Sequence, residues 1–259
     1  MKKFATVLLL NLGIMGCITN VAWGQNTATP PEELTEVIAG IENAANEQDV
    51  EGVIEYYSDD FSNSDGLTTD TLAKALTQMW RDYSQLEYTT EIESWSESED
   101  ELVAETLTTI RGTQNTSGRE ARLKSTIKAR QYFQGQKLVR QEILSEQSEI
   151  TSGENPPQVE VVAPDTVTVG QKYNFDLIVN EPLEDRVLLG AAQEEKTAAN
   201  LYLNSSSLEL EPLPAGGIYK LATAPATPES NWISAILVRG DGITIITHRV
   251  NIEPSQTQQ

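Results

Sequence analysis

The chain has 259 residues, 39% of them hydrophobic and 22% charged, enough for one large or two ordinary globular domains. Its 39 acids against 18 bases give a formal net charge of −21, a field that repels nucleic acid and anionic lipid and excludes both as partners. A single cysteine, Cys17, and a single histidine, His248, exclude a disulfide framework, Cys/His zinc sites and the H-E-x-x-H metal signature.

Residues 1–24 carry Lys2 and Lys3, an apolar run over 4–18 and Ala22-Trp23-Gly24 before Gln25. A charged start, an apolar stretch and a small-x-small step read as a secretory signal peptide, so a periplasmic or secreted protein is expected. Ile14-Met15-Gly16-Cys17 resembles a lipoprotein box, and a lipid anchor on Cys17 is the alternative. No later apolar run approaches the ~20 residues of a membrane span.

Pro30 and Pro31 before Glu32 predict a helix start, and Leu34, Val37, Ile38, Ile41 and Ala45 form a stripe at helical spacing. Asp49 predicts the cap of a short second helix through Val50, Val53, Ile54 and Tyr57. A third begins at Thr69-Asp70 and carries Leu72, Leu76, Met79, Trp80 and Tyr83 on one face. From Leu86 the period falls to two, predicting strands over 86–95, 101–112, 119–134 and 137–146.

Ile41-Glu42-Asn43-Ala44-Ala45-Asn46-Glu47-Gln48-Asp49, running into Tyr56-Tyr57-Ser58-Asp59-Asp60-Phe61, carries a resemblance. With three helices before an antiparallel meander, residues 30–148 resemble the nuclear transport factor 2-like, cystatin-like α+β superfamily, which includes SnoaL-like proteins. The resemblance implies a cone of helices on a curved sheet, often with a pocket, and in many relatives a homodimer through that sheet. It also implies Asp, Tyr or His inside the pocket of the isomerase and dehydratase members. No histidine lies in residues 25–247, which removes a His/Asp dyad. Tyr56 or Tyr57 with Asp59 or Asp60 is the acid–base pairing left, and it needs a desolvated carboxyl.

The polar Gly/Pro stretch over 149–157 predicts a linker. Beyond it, short β-type runs at 159–162, 166–169, 173–179, 187–191, 208–213, 218–222, 232–239 and 243–252 predict an all-β domain over 158–253, of Ig-like sandwich type. Asp241-Gly242 is a hairpin turn, and 254–259 reads as a disordered tail. The leader and two-domain plan are similar to exported cyanobacterial proteins.

Candidate chemistry is sparse. Tyr57, Trp80, Tyr83 and Tyr88 either line an apolar pocket for a small ligand or are core aromatics. Residues 31–110 hold 21 acids and only Lys74 and Arg81 as bases, whereas 111–140 hold eight bases and one acid. Alternation puts Arg122, Lys124, Lys128 and Arg130 on one strand face, either as a docking strip for an acidic partner or paired with Glu87, Glu91, Glu93, Glu105 and Glu142. Ser125-Thr126-Ile127-Lys128 fits S-x-x-K, but positions three apart face opposite sides of a strand. No phosphate loop or dinucleotide fingerprint occurs, so neither a cofactor nor a metal is expected. The reading is an exported, non-catalytic binding protein whose partner is an envelope protein; a carrier or isomerase-like enzyme for a small apolar ligand is the alternative.

Overall fold

Helix α1 (Glu32–Asn46) starts after Pro31 with Glu32 and Glu33 in its first turn, where carboxylates favour the helix dipole, and it buries Leu34, Val37, Ile38 and Ala45. Asp49 caps α2 (Val50–Glu55) by accepting from the Gly52 amide at 3.0 Å. Thr68 and Thr71 form a reciprocal capping box on α3 (Thr69–Asp82). These elements belong to a computed structural model that describes residues 29–98, 101–116, 119–182, 187–204, 207–213 and 216–255. The predicted leader, Cys17 and the last four residues of the tail lie outside the described residues.

Between α2 and α3 runs a strand the periodicity does not announce, β1 (Tyr57–Asn63). It pairs in parallel with β5 (Lys137–Gly153) through Tyr57↔Leu138 and Asn63↔Gln141. Asp59 and Asp60 are thus exposed strand residues and not a helix end. The predicted meander follows as β2 (Gln85–Ser98), β3 (Glu101–Thr116), β4 (Arg119–Gln134) and β5, each hydrogen-bonded to the next.

The predicted linker is corrected. Residues 149–153 continue β5, which pairs there with β4 on one side and with β13 (Gly242–Glu253) on the other, from Gln147↔His248 to Gly153↔Gly242. Backbone bonds to two neighbours hold the chain extended whatever its side-chain polarity, which is why turn-like composition misleads here. β5 ends at Gly153 with φ 104°, and a Cβ there would lie 2.6 Å from the Asp241 carbonyl oxygen.

The second half adds β6 (Val159–Val162), β7 (Thr166–Thr168), β8 (Lys172–Val179), β9 (Leu189–Lys196), β10 (Glu211–Pro212), β11 (Gly217–Thr223) and β12 (Glu229–Arg239). The 208–213 run forms only the two-residue β10, and a 3-10 turn over Ala199–Tyr202 replaces the expected absence of helix. One sheet orders β10-β9-β12-β13-β5-β4-β3-β2, and a smaller one orders β11-β8-β6. The small sheet packs on β9, β12 and β13 around Phe175, Leu177, Ile233, Leu237, Ile246 and Val250. The two halves therefore share one continuous sheet through the β5–β13 pair. No described helix is long and apolar enough to cross a membrane.

Candidate functional site

The helices do not fill the concave face of the first-half sheet. They leave a cavity of about 600 Å³ between α1, α3 and the inward faces of β2–β5. Ala45, Ala75, Thr90, Thr108 and Ala129 line it, so small side chains stand where bulkier ones would close the space. Ile38, Leu76, Ile110 and Ile143 make most of the surface apolar. Two side chains one turn apart on α1 lock the helix over β2. Glu42 Oε2 accepts the Thr90 amide proton at 2.6 Å, and Asn46 exchanges bonds of 2.8 and 3.0 Å with the backbone of Tyr88.

Three of the four predicted aromatics line the cavity: Tyr57, Tyr83 and Tyr88. Burial raises the Tyr57 phenol to about 12, and no described residue hydrogen-bonds its hydroxyl. Its ring meets Phe61 edge-on at 4.7 Å. Tyr83 is pushed up by burial first and by neighbouring Asp82 second. Tyr88 accepts the indole proton of Trp80 at 2.9 Å, so Trp80 stands behind the wall as a buried support and is not among the lining residues. Asp59 and Asp60 are exposed and off the lining, so the tyrosine–aspartate pairing is not assembled there.

The basic strip divides. Lys128 lies 2.7 Å from Glu93 and 3.7 Å from Glu105, and Arg130 lies 2.7 Å from Glu105 and 3.5 Å from Glu142. The Glu93 hydrogen bond, outweighing desolvation, holds the Lys128 ammonium above its ordinary range. Among the described residues Arg122 pairs with nearby Glu120 alone, and its side chain is 75% exposed. Lys124 is exposed between Arg111 on β3 and Glu149 on β5.

At the cavity lining the second half contributes what the sequence reading missed. Tyr202 lines the cavity and donates to Asp65 Oδ2 at 2.6 Å. Asp65 is held by both terminal nitrogens of Arg249, at 2.8 and 2.6 Å, and Arg249 also donates to Glu146 at 2.9 and 3.1 Å. Trp232 gives its indole proton to the same Glu146 oxygen at 2.8 Å and packs edge-on against Tyr202. Burial alone would raise the Asp65 carboxyl, but the hydrogen bonds and charge of Arg249 outweigh it, with Tyr202 and Thr197 helping, and hold it below the usual range. The side chains of Asp65 and Arg249 are both 0% exposed. Asp65 and Arg249 stand 184 positions apart, so no local pattern pairs them. The available signal was an arginine in a strand that alternates Ile246, His248, Val250 and Ile252 on one face, which puts Arg249 on the other, where it is buried all the same. Among the described residues no cluster of three or more His, Cys, Asp or Glu could hold a metal.

A family model described as a domain of unknown function (DUF8623) matches residues 154–253. That match begins one residue after β5 ends. No curated protein matches the chain in sequence. Among solved structures the chain is similar to Bd1075 of Bdellovibrio bacteriovorus, at 18% identity and TM-score 0.31, covering 42% of this chain and 39% of that one. It is similar to a cystatin-fold protein of Novosphingobium aromaticivorans, at 19% identity and TM-score 0.31, over 42% of this chain and 94% of that one. It is also similar to a SnoaL-like polyketide cyclase of Agrobacterium tumefaciens, at 13% identity and TM-score 0.32, over 44% of this chain and 91% of that one. Likeness at this level carries no activity across to this chain.

Proposed function

We propose that this chain is an exported, non-catalytic carrier that holds a small apolar molecule in the cone of a nuclear transport factor 2-like domain. An Ig-like β-sandwich stands beside that cone and supplies Tyr202 to its lining. The cavity carries the reading: about 600 Å³, mostly apolar, with phenol groups at Tyr57 and Tyr83 to orient a ligand. The acid–base pairing that the sequence offers, Tyr56 or Tyr57 with Asp59 or Asp60, does not converge on this space, because both aspartates are exposed and off the lining. A second reading, docking of an acidic envelope protein, is supported by the exposure of Arg122 and Lys124.

The test is a titration of the full chain with Nile red, an uncharged apolar dye whose fluorescence rises out of water. Ala129 is 3% exposed and lines the cavity, so Ala129→Trp puts an indole into the space. Saturable binding that weakens at least about tenfold in the variant is expected, as a filled site loses its apolar contacts. Equal binding in both proteins would place the dye elsewhere and remove the carrier reading.

A further inference from the structure

Building on the carrier reading, we infer that the cone cavity selects neutral or cationic apolar molecules and rejects anionic ones. Among the described residues that line it are two carboxylates, Glu42 and Asp82, and no Lys, Arg or His. Strand alternation is the cause. Ile127 and Ala129 of β4 face the cavity, so Lys128 and Arg130 fall on the opposite face, where Glu93, Glu105 and Glu142 meet them. Arg249, which shares Asp65 with the lining residue Tyr202, is itself off the lining and is matched by Asp65 and Glu146. The charges of Lys128 and Arg130 are thus kept out of the cone cavity.

The cavity's own polar groups favour the same ligands. Glu42 is half-buried, and the described residues give it one donor, the Thr90 amide, leaving its second oxygen for a ligand. Asp82 is the last residue of α3, so the negative end of that helix dipole adds to its charge. Tyr57 and Tyr83 are held protonated well past neutral pH, so they offer neutral hydroxyl groups. An anionic headgroup entering here would lose its water, meet two like charges and find no cation to replace hydration. An ammonium would find carboxylate acceptors, and an alcohol would find both donors and acceptors.

Three probes with one apolar skeleton separate these cases: 4-biphenylmethanol, 4-biphenylmethylamine and 4-biphenylcarboxylate. Each is titrated calorimetrically into the full chain at neutral pH and about 150 mM salt, where long-range charge effects are screened. The alcohol and the amine are expected to bind, and the carboxylate at least about tenfold more weakly than the alcohol. Asp82→Asn, at an exposed position where folding is not at risk, and Glu42→Gln, which keeps an acceptor for Thr90, should each narrow the amine–carboxylate difference. A carboxylate that binds as tightly as the alcohol would overturn the charge selection while leaving the carrier reading in place. Binding by none of the three would overturn both.

Discussion

The two halves of the long sheet solve opposite packing problems with the same kind of strand. In the second half, β9, β12 and β13 face a second sheet, and Phe175, Leu177, Leu237 and Ile246 interdigitate into a closed core. In the first half, three helices cover the concave face of β2–β5, and small residues on both layers leave about 600 Å³ open. A helix contacts a curved sheet only along a stripe, whereas two sheets meet across their whole inner faces. The lesson is that the apolar positions of a strand do not reveal whether they close a core or border a space; the facing layer decides that.

The largest expected effect lies where the halves meet. Arg249→Met keeps the stem but leaves Asp65 and Glu146 without their cation, and it should lower stability by about 3–5 kcal/mol in urea denaturation. The prediction also probes independence. A single transition, moved as a whole, means the halves unfold together, while two transitions with only one displaced would break the idea that the shared sheet couples them.

A smaller effect measures the contrast in filling. Leu237 is fully buried in the closed core, and Leu237→Ala should cost about 2–5 kcal/mol. Leu76 borders the cavity and is half-buried, so Leu76→Ala should cost about 1 kcal/mol, since part of its surface already faces open space. Equal losses in the two variants would mean that the cone is as tightly closed as the sandwich.

The smallest effect belongs to the outer face of β4. Reversing Lys128 and Arg130 together to Glu turns their pairs with Glu93, Glu105 and Glu142 into like-charge contacts, and about 1–2 kcal/mol of stability should be lost. Reversing Arg122 and Lys124, both exposed, should leave the melting temperature unchanged. Should that second pair lower stability as much as the first, the strip is structural along its whole length and the docking reading loses its support.

Alternation and helical spacing in the sequence determined a great deal. The stripe Leu34-Val37-Ile38, the caps at Asp49 and Thr68, and the four-strand meander follow from local rules, because each depends on neighbours a few residues away. Alternation also put Lys128 and Arg130 opposite Ile127 and Ala129. The tyrosines were legible as a group, but their division was not: Tyr57, Tyr83 and Tyr88 line the space while Trp80 braces Tyr88 from behind. Only the tertiary structure decided three things. β5 runs through a polar stretch because two neighbouring strands hold it extended. The cone stays open because the helices and sheet meet where their side chains are small. Asp65, Glu146, Tyr202 and Arg249 converge because the shared sheet brings distant segments to one buried point. Local pattern sets which face of an element is apolar; what that face meets is a matter of long-range packing, which no local window contains.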